Sequence, residues 1–199
     1  MTRLSPASGE MALIRLRGPG PVAAGVLFSN FGPGRTFNVF DYFPIVGQAQ
    51  PYYASEAVQF VPTVTAPFWD ARVPLLLFSG PNWVTVSLAA DSSGLPGALI
   101  VSLDLAGAMT GPHSPSIVTA TPAYHPMLTA GTPYWLVVST PTPGTNAGWA
   151  WNPPTVNDSA SPTNFARSPF PETFGPWYLQ TFVERPAFEI DGPPIVALP

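Results

Sequence analysis

Apolar and polar positions alternate with a period of two along most of the chain, in short runs bounded by proline and glycine. That period is the mark of half-buried β-strands. The clearest run covers residues 83–91, where Val84, Val86 and Leu88 fall on one face and Thr85 and Ser87 on the other. Ser92-Ser-Gly-Leu-Pro-Gly97 follows, with glycines to allow positive φ and a proline to fix a turn. A second strand over 98–105 completes a hairpin. The same signals place strands at 23–28, 37–43, 56–61, 73–78, 117–121, 134–139, 148–151, 177–182 and 187–190.

Proline recurs too often for an uninterrupted helical period, so the chain reads as all-β. Short strands with frequent turn signals predict a two-sheet antiparallel sandwich, of jelly-roll type, over residues 22–192. No internal repeat is present. Residues 141–176 are rich in Pro, Thr, Ser and Asn and are expected to form long loops at one end of the sandwich. Residues 1–21 form an N-terminal arm and 193–199 a C-terminal tail. Within the arm, Leu13, Arg15 and Arg17 alternate with Ile14 and Leu16, a pattern able to add a strand to an exposed sheet edge.

Composition agrees with a folded core. Of 199 residues 46% are hydrophobic and 13% aromatic, which outweighs the disorder that 28 prolines and 17 glycines would otherwise suggest. Charge is scarce at 9%, and the net value of −4 with no lysine argues against nucleic acid as a partner. It is unevenly placed: residues 1–35 carry +3 and the remainder −7, so a basic arm of one copy has an acidic body of the next to lie on. The absence of cysteine removes disulfides, thiolate catalysis and Cys-ligated zinc. Neither a signal peptide nor a run long and apolar enough to span a membrane is legible, so either the chain is a mature fragment or the protein leaves the cell by lysis or as part of a particle.

Catalytic motifs are missing. His113 and His125 are hemmed by prolines, and no nucleophile elbow, zinc-binding His-Glu pair or phosphate loop occurs. Asp41, Glu56, Asp70, Asp91 and Asp104 are the carboxylates from which a glycosidase pair would come, but Asp91 and Asp104 bracket the hairpin and read as turn and strand-end residues. Glu184, Glu189 and Asp191 could approach calcium, yet no loop of spaced aspartates supports a metal, and no cofactor is assigned. The chain is therefore read as a non-enzyme. Trp149 and Trp151, two apart on one strand face, and Trp177 with Tyr178 are the candidates for a platform that stacks sugar rings. Packing between the sheets is the competing reading, as alternation suggests for Tyr134 and Trp135, and Phe31, Phe37 and Phe43 read as core or interface. Asn157-Asp-Ser159 matches a glycosylation acceptor without a sign of the pathway that would use it.

Five segments together resemble the bacterial surface domains called choice-of-anchor, the R type in particular. They are Gly25-Val-Leu-Phe-Ser-Asn-Phe-Gly-Pro-Gly34, Val84-Thr-Val-Ser-Leu-Ala-Ala-Asp-Ser-Ser-Gly-Leu-Pro-Gly97, Leu128-Thr-Ala-Gly-Thr-Pro-Tyr-Trp-Leu-Val137, Trp149-Ala-Trp-Asn152 and Ala187-Phe-Glu-Ile-Asp-Gly192. The resemblance implies an extracellular, non-catalytic β-sandwich. Members of that family carry a secretion signal and a C-terminal anchor, and neither is legible here, while similar modules occur on phage particles. The expectation is a structural or decoration protein that assembles on a virion or extracellular filament through its sandwich edges and terminal arms. The alternative is a carbohydrate-binding or adhesive module.

Overall fold

The computed structural model describes residues 24–112, 114–153, 164–169, 175–181 and 184–194. Its strands are β1 (Ala24–Ser29), β2 (Tyr42–Val46), β3 (Ser55–Phe60), β4 (Ala66–Pro67), β5 (Asp70–Ser79), β6 (Trp83–Ser92) and β7 (Leu95–Ala106). They continue as β8 (Ser116–Ala120), β9 (Met127–Leu128), β10 (Tyr134–Ser139), β11 (Asn146–Ala150), β12 (Phe165–Ser168), β13 (Tyr178–Gln180) and β14 (Glu189–Pro194). One six-stranded sheet runs β1-β14-β5-β11-β2 with β8 on the other side of β5, and a second runs β13-β12-β3-β10-β6-β7. All strand pairs are antiparallel, and β4 with β9 forms a small extra ribbon. The chain is thus an all-β sandwich of two antiparallel sheets.

Alternation decides what fills the space between the sheets. Val84, Val86 and Leu88 of β6, Tyr134, Leu136 and Val138 of β10, and Val58 and Phe60 of β3 meet Ile45, Val73, Leu75, Ala147 and Trp149 of the opposite sheet. Phe60 links the layers, its ring lying 5.8 Å from Phe28, 6.0 Å from Tyr134 and 5.9 Å from Phe188. β5 is flanked by β14 up to Arg72 and by β11 from Leu75. Pro74, which has no N–H to give a ladder, falls in the gap between those two partners.

The second sheet is apolar on its outer face too. Trp135 and Val137 of β10 point there and pack with Ala57, Ala89, Ala166 and Trp177. Small side chains on β3, β6 and β12 leave the room that the indole rings fill. Burying such a ring removes on the order of 200 Å² from water, about 5 kcal/mol of transfer free energy before entropy is counted.

The hairpin is tighter than the sequence suggests. β7 starts at Leu95 rather than residue 98, and Ser92 pairs directly with Leu95. Ser93 (φ 55°) and Gly94 (φ 82°) form the turn. Two successive positive φ values match the right-handed twist of paired strands, and glycine adopts the second without strain. The strand expected over 37–43 begins only at Tyr42, because Asn38 bonds Phe40 N–H (2.9 Å) and Asp41 (2.9 Å) and closes a turn instead. Within 141–176 the strand expected at 148–151 is β11, and β12 is a further one. The first residues of that segment are pinned: Gly47 N–H bonds Thr145 O (2.9 Å), Ala49 N–H bonds Pro143 O (2.8 Å), and the Thr145 hydroxyl donates to Pro81 O (2.8 Å). β14 continues to Pro194, past the expected start of the tail.

Replacing Phe60 by alanine removes the ring that bridges both layers. It should cost about 3–5 kcal/mol, measured as a lowered midpoint of denaturant unfolding at unchanged slope.

Candidate functional site

The tryptophan platform does not form. Trp149 and Trp151 do share a face, but it is the inner one. β11 lies between β2 and β5, so Trp149 is 0% exposed, packs edge-on against Phe188 (6.3 Å), and donates its indole N–H to Ala187 O (2.7 Å). Trp151 is half-buried against the Phe43 ring (5.3 Å). Trp177 is buried in the outer cluster beside Trp135. Of the four candidates only Tyr178 is exposed, on β13. Rings recruited to a core have no face left for a sugar. Phe43 is likewise core, and Phe31 and Phe37 are half-buried against each other (6.1 Å). His113, Asn157 and the arm segment Leu13, Ile14, Arg15, Leu16 and Arg17 lie outside the described residues.

The carboxylates are engaged structurally. Asp70, Glu189 and Asp191 cluster on the outer face of the first sheet, where Glu189 stands opposite Arg72 and Asp191 opposite Asp70. Arg72 and Arg35 each donate to Glu189 Oε1 at 2.8 Å, and Arg72 also contacts Asp191. Asp70 is 7% exposed, Glu189 4% and Asp191 0%. All three are buried, and Glu189 and Asp191 are engaged in direct ion pairs with Arg72. Burial, with the neighbouring Glu189 charge, pushes Asp191 up to about 7 against the pull of Arg72. Glu56 is fully buried and paired with Arg167 (2.7 Å), and its desolvation raises its pKa well above the ordinary value despite that partner. Among the described residues no three acidic or histidine side chains are arranged to hold a metal. His125 stacks flat on Trp69 at 4.2 Å, its Nδ1 3.0 Å from Phe68 O.

Two exposed features stand out among the described residues. The first is the β7 edge, twelve residues with no strand partner on its outer side among the described residues. Asp91 anchors its start. Its carboxylate accepts Gln59 Nε2 (2.7 Å), Trp135 Nε1 (2.8 Å) and the Gly94 N–H (3.0 Å), tying the turn to the outer cluster. Burial alone would raise the Asp91 pKa, and these hydrogen bonds together outweigh it and hold the group below its ordinary value. Asp104 is the sole charge on β7, and the Thr85 hydroxyl holds it (2.6 Å). Both aspartates therefore serve the hairpin, as their positions in the sequence suggest.

The second feature is a groove of about 440 Å³ on the outer face of the first sheet, lined by Tyr42, Pro44, Tyr52, Phe78, Asn146 and Ala147. No sequence motif marks it, because its residues come from β2, β5, β11 and the loop after β2. An aromatic residue on an outward strand position, as at Tyr42 and Phe78, is the one signal that pointed there.

No family model matches the chain, and no curated protein matches it.

Asp191 and Glu56 both have raised folded-state pKa values, so each contributes stability at low pH that is lost as pH rises through the folded value. Thermal stability should therefore fall as the pH rises from about 4 to about 7, the interval between the ordinary and the folded value of Asp191. Asp191→Asn should melt higher than the parent at pH 8 and close to it at pH 5. A variant equally destabilised at both values would place the titrating group elsewhere.

Proposed function

We propose that the protein is a non-enzymatic structural module that assembles with further copies of itself through the β7 edge, as part of a particle or filament surface. The observation that carries this reading is the length and composition of that edge. Natural sheets guard long edges with lysine, proline or bulges that turn them away; β7 has Pro96 and two register breaks in its first half, whereas Val101 to Ala106 pairs regularly, bears Asp104 as its only charge and has no proline. Val101, Leu103 and Leu105 lie half-buried along the core margin, where a further strand would cover them. An antiparallel pairing of two β7 strands about Ser102 sets Val101 of each against Leu103 of the other. It places each Asp104 opposite Ile100, so the two carboxylates stay apart.

We also infer a jelly-roll winding. The strand orders β2-β11-β5-β8 and β3-β10-β6-β7, with the chain passing from sheet to sheet, support it. That architecture is common in capsid and lectin domains, a likeness of fold alone. At the far end of the second sheet β13 presents Tyr178 and Leu179 to solvent, and a subunit that can be extended at two edges is a unit from which open assemblies grow. The particle or filament setting, an extracellular location and the choice-of-anchor relationship stand as proposals beside it.

Light scattering after size exclusion tests the reading. The full chain should show a mass that rises with concentration toward a dimer or larger species. Leu99→Lys, at a position 48% exposed on the edge, should return it to a monomer with unchanged melting. Deletion of residues 1–20 should leave the assembly intact. A monomer at the highest soluble concentration overturns the proposal. So does an assembly that survives Leu99→Lys and is lost on deleting the arm, which would transfer the role to residues 13–17.

A further inference from the structure

We propose that the groove over Gly148 is a binding site for a neutral oligosaccharide. One wall of the groove is built over a glycine. Gly148 points outward from β11 between Pro44 of β2 and Leu76 of β5. A Cβ there would stand 3.0 Å from Leu76 Cδ2, 3.0 Å from Tyr42 Cβ and 3.1 Å from Phe78 Cε2. The glycine thus lets Tyr42 and Phe78 settle closely onto β11, where they meet edge-on, 5.5 Å apart at 78°. The result is an aromatic shelf standing on a rigid three-strand floor.

The chemistry of the lining selects the ligand. No charged residue contributes to it, so phosphate, sulfate and uronate groups find no counter-ion. Polar groups interrupt the rings, which disfavours a lipid tail. The Tyr42 hydroxyl donates to Val39 O (2.6 Å) and keeps its lone pairs for an acceptor role. Neither the Asn146 amide nor the Tyr52 hydroxyl has a hydrogen-bond partner among the described residues, and Tyr52 is 65% exposed at the margin. A pyranose carries the same two features: a C–H face that packs on an aromatic ring, and hydroxyls on its rim that bond an amide or a phenol. The volume of about 440 Å³ falls in the range of small-ligand sites. This site shares no residue with the β7 edge and holds whether or not the protein self-associates.

Titration calorimetry of the full chain against neutral gluco-, xylo-, manno- and chito-oligosaccharides, with heparin and alginate fragments as charged probes, tests it. At least one neutral class should bind saturably. Tyr52→Ala and Asn146→Ala, neither of which breaks a bond within the protein, should each weaken that binding by about tenfold or more with unchanged melting. Tyr124→Ala, an exposed tyrosine outside the groove, should bind as the parent does. Failure of every neutral oligosaccharide to bind, binding of the charged fragments alone, or retention of full affinity by both groove variants would overturn the assignment.

Discussion

A sheet that is apolar on both faces must be covered on both, and the second sheet of this protein is held to that condition by β10. Five consecutive residues, Tyr134 to Val138, are buried. Tyr134, Leu136 and Val138 turn toward the opposite sheet, while Trp135 and Val137 turn away from it. The outward pair needs its own roof, and Trp177 supplies it over a floor of alanines at 57, 89 and 166. The Trp135 indole N–H needs an acceptor, and Asp91 supplies it while also closing the β6–β7 turn. The position of the edge strand thus follows from where one indole ring is buried.

The first sheet meets a different demand. Its inner face is apolar, but its outer face carries carboxylates at 70, 189 and 191 on paired strands. Like charges set side by side destabilise a sheet, and here two arginines from separate parts of the chain offset them. Arg72 comes from β5 and Arg35 from the short 3₁₀ turn after β1. One acid still exceeds the available cations, and Asp191, the most buried, takes up the imbalance by holding its proton toward neutral pH. Single removal of either arginine would leave buried charge uncompensated, a far greater cost than the pair contributes in net stability.

Sandwich winding then sets unrelated segments beside each other. Tyr42, Tyr52, Phe78 and Asn146 are spread over more than half the chain, yet β2, β11 and β5 lie adjacent and bring them to one groove. The glycine between them is as necessary as the rings. Nothing in the neighbourhood of Gly148 in the sequence, where Trp149 and Trp151 draw the eye, indicates that two rings from other strands settle on it.

The sequence by itself determined the secondary-structure class, the main hairpin and most of the longer strands, because a period of two with turn residues at its boundaries is a local signal. It also determined that Trp149 and Trp151 share a face. Which face they share was a matter for the tertiary structure, since β11 becomes a strand flanked on both sides only once β2 and β5 have paired with it. The four-residue β12 was hidden in a Pro- and Thr-rich segment because its order comes from pairing with β3 rather than from its own propensity. Ion pairs such as Glu56–Arg167 and Arg72–Glu189, formed over separations above 100 residues, leave no trace in a linear pattern. The two surface features divide in the same way. An apolar edge can be read from the alternation of one strand, whereas a groove depends on residues that several strands and a loop bring together.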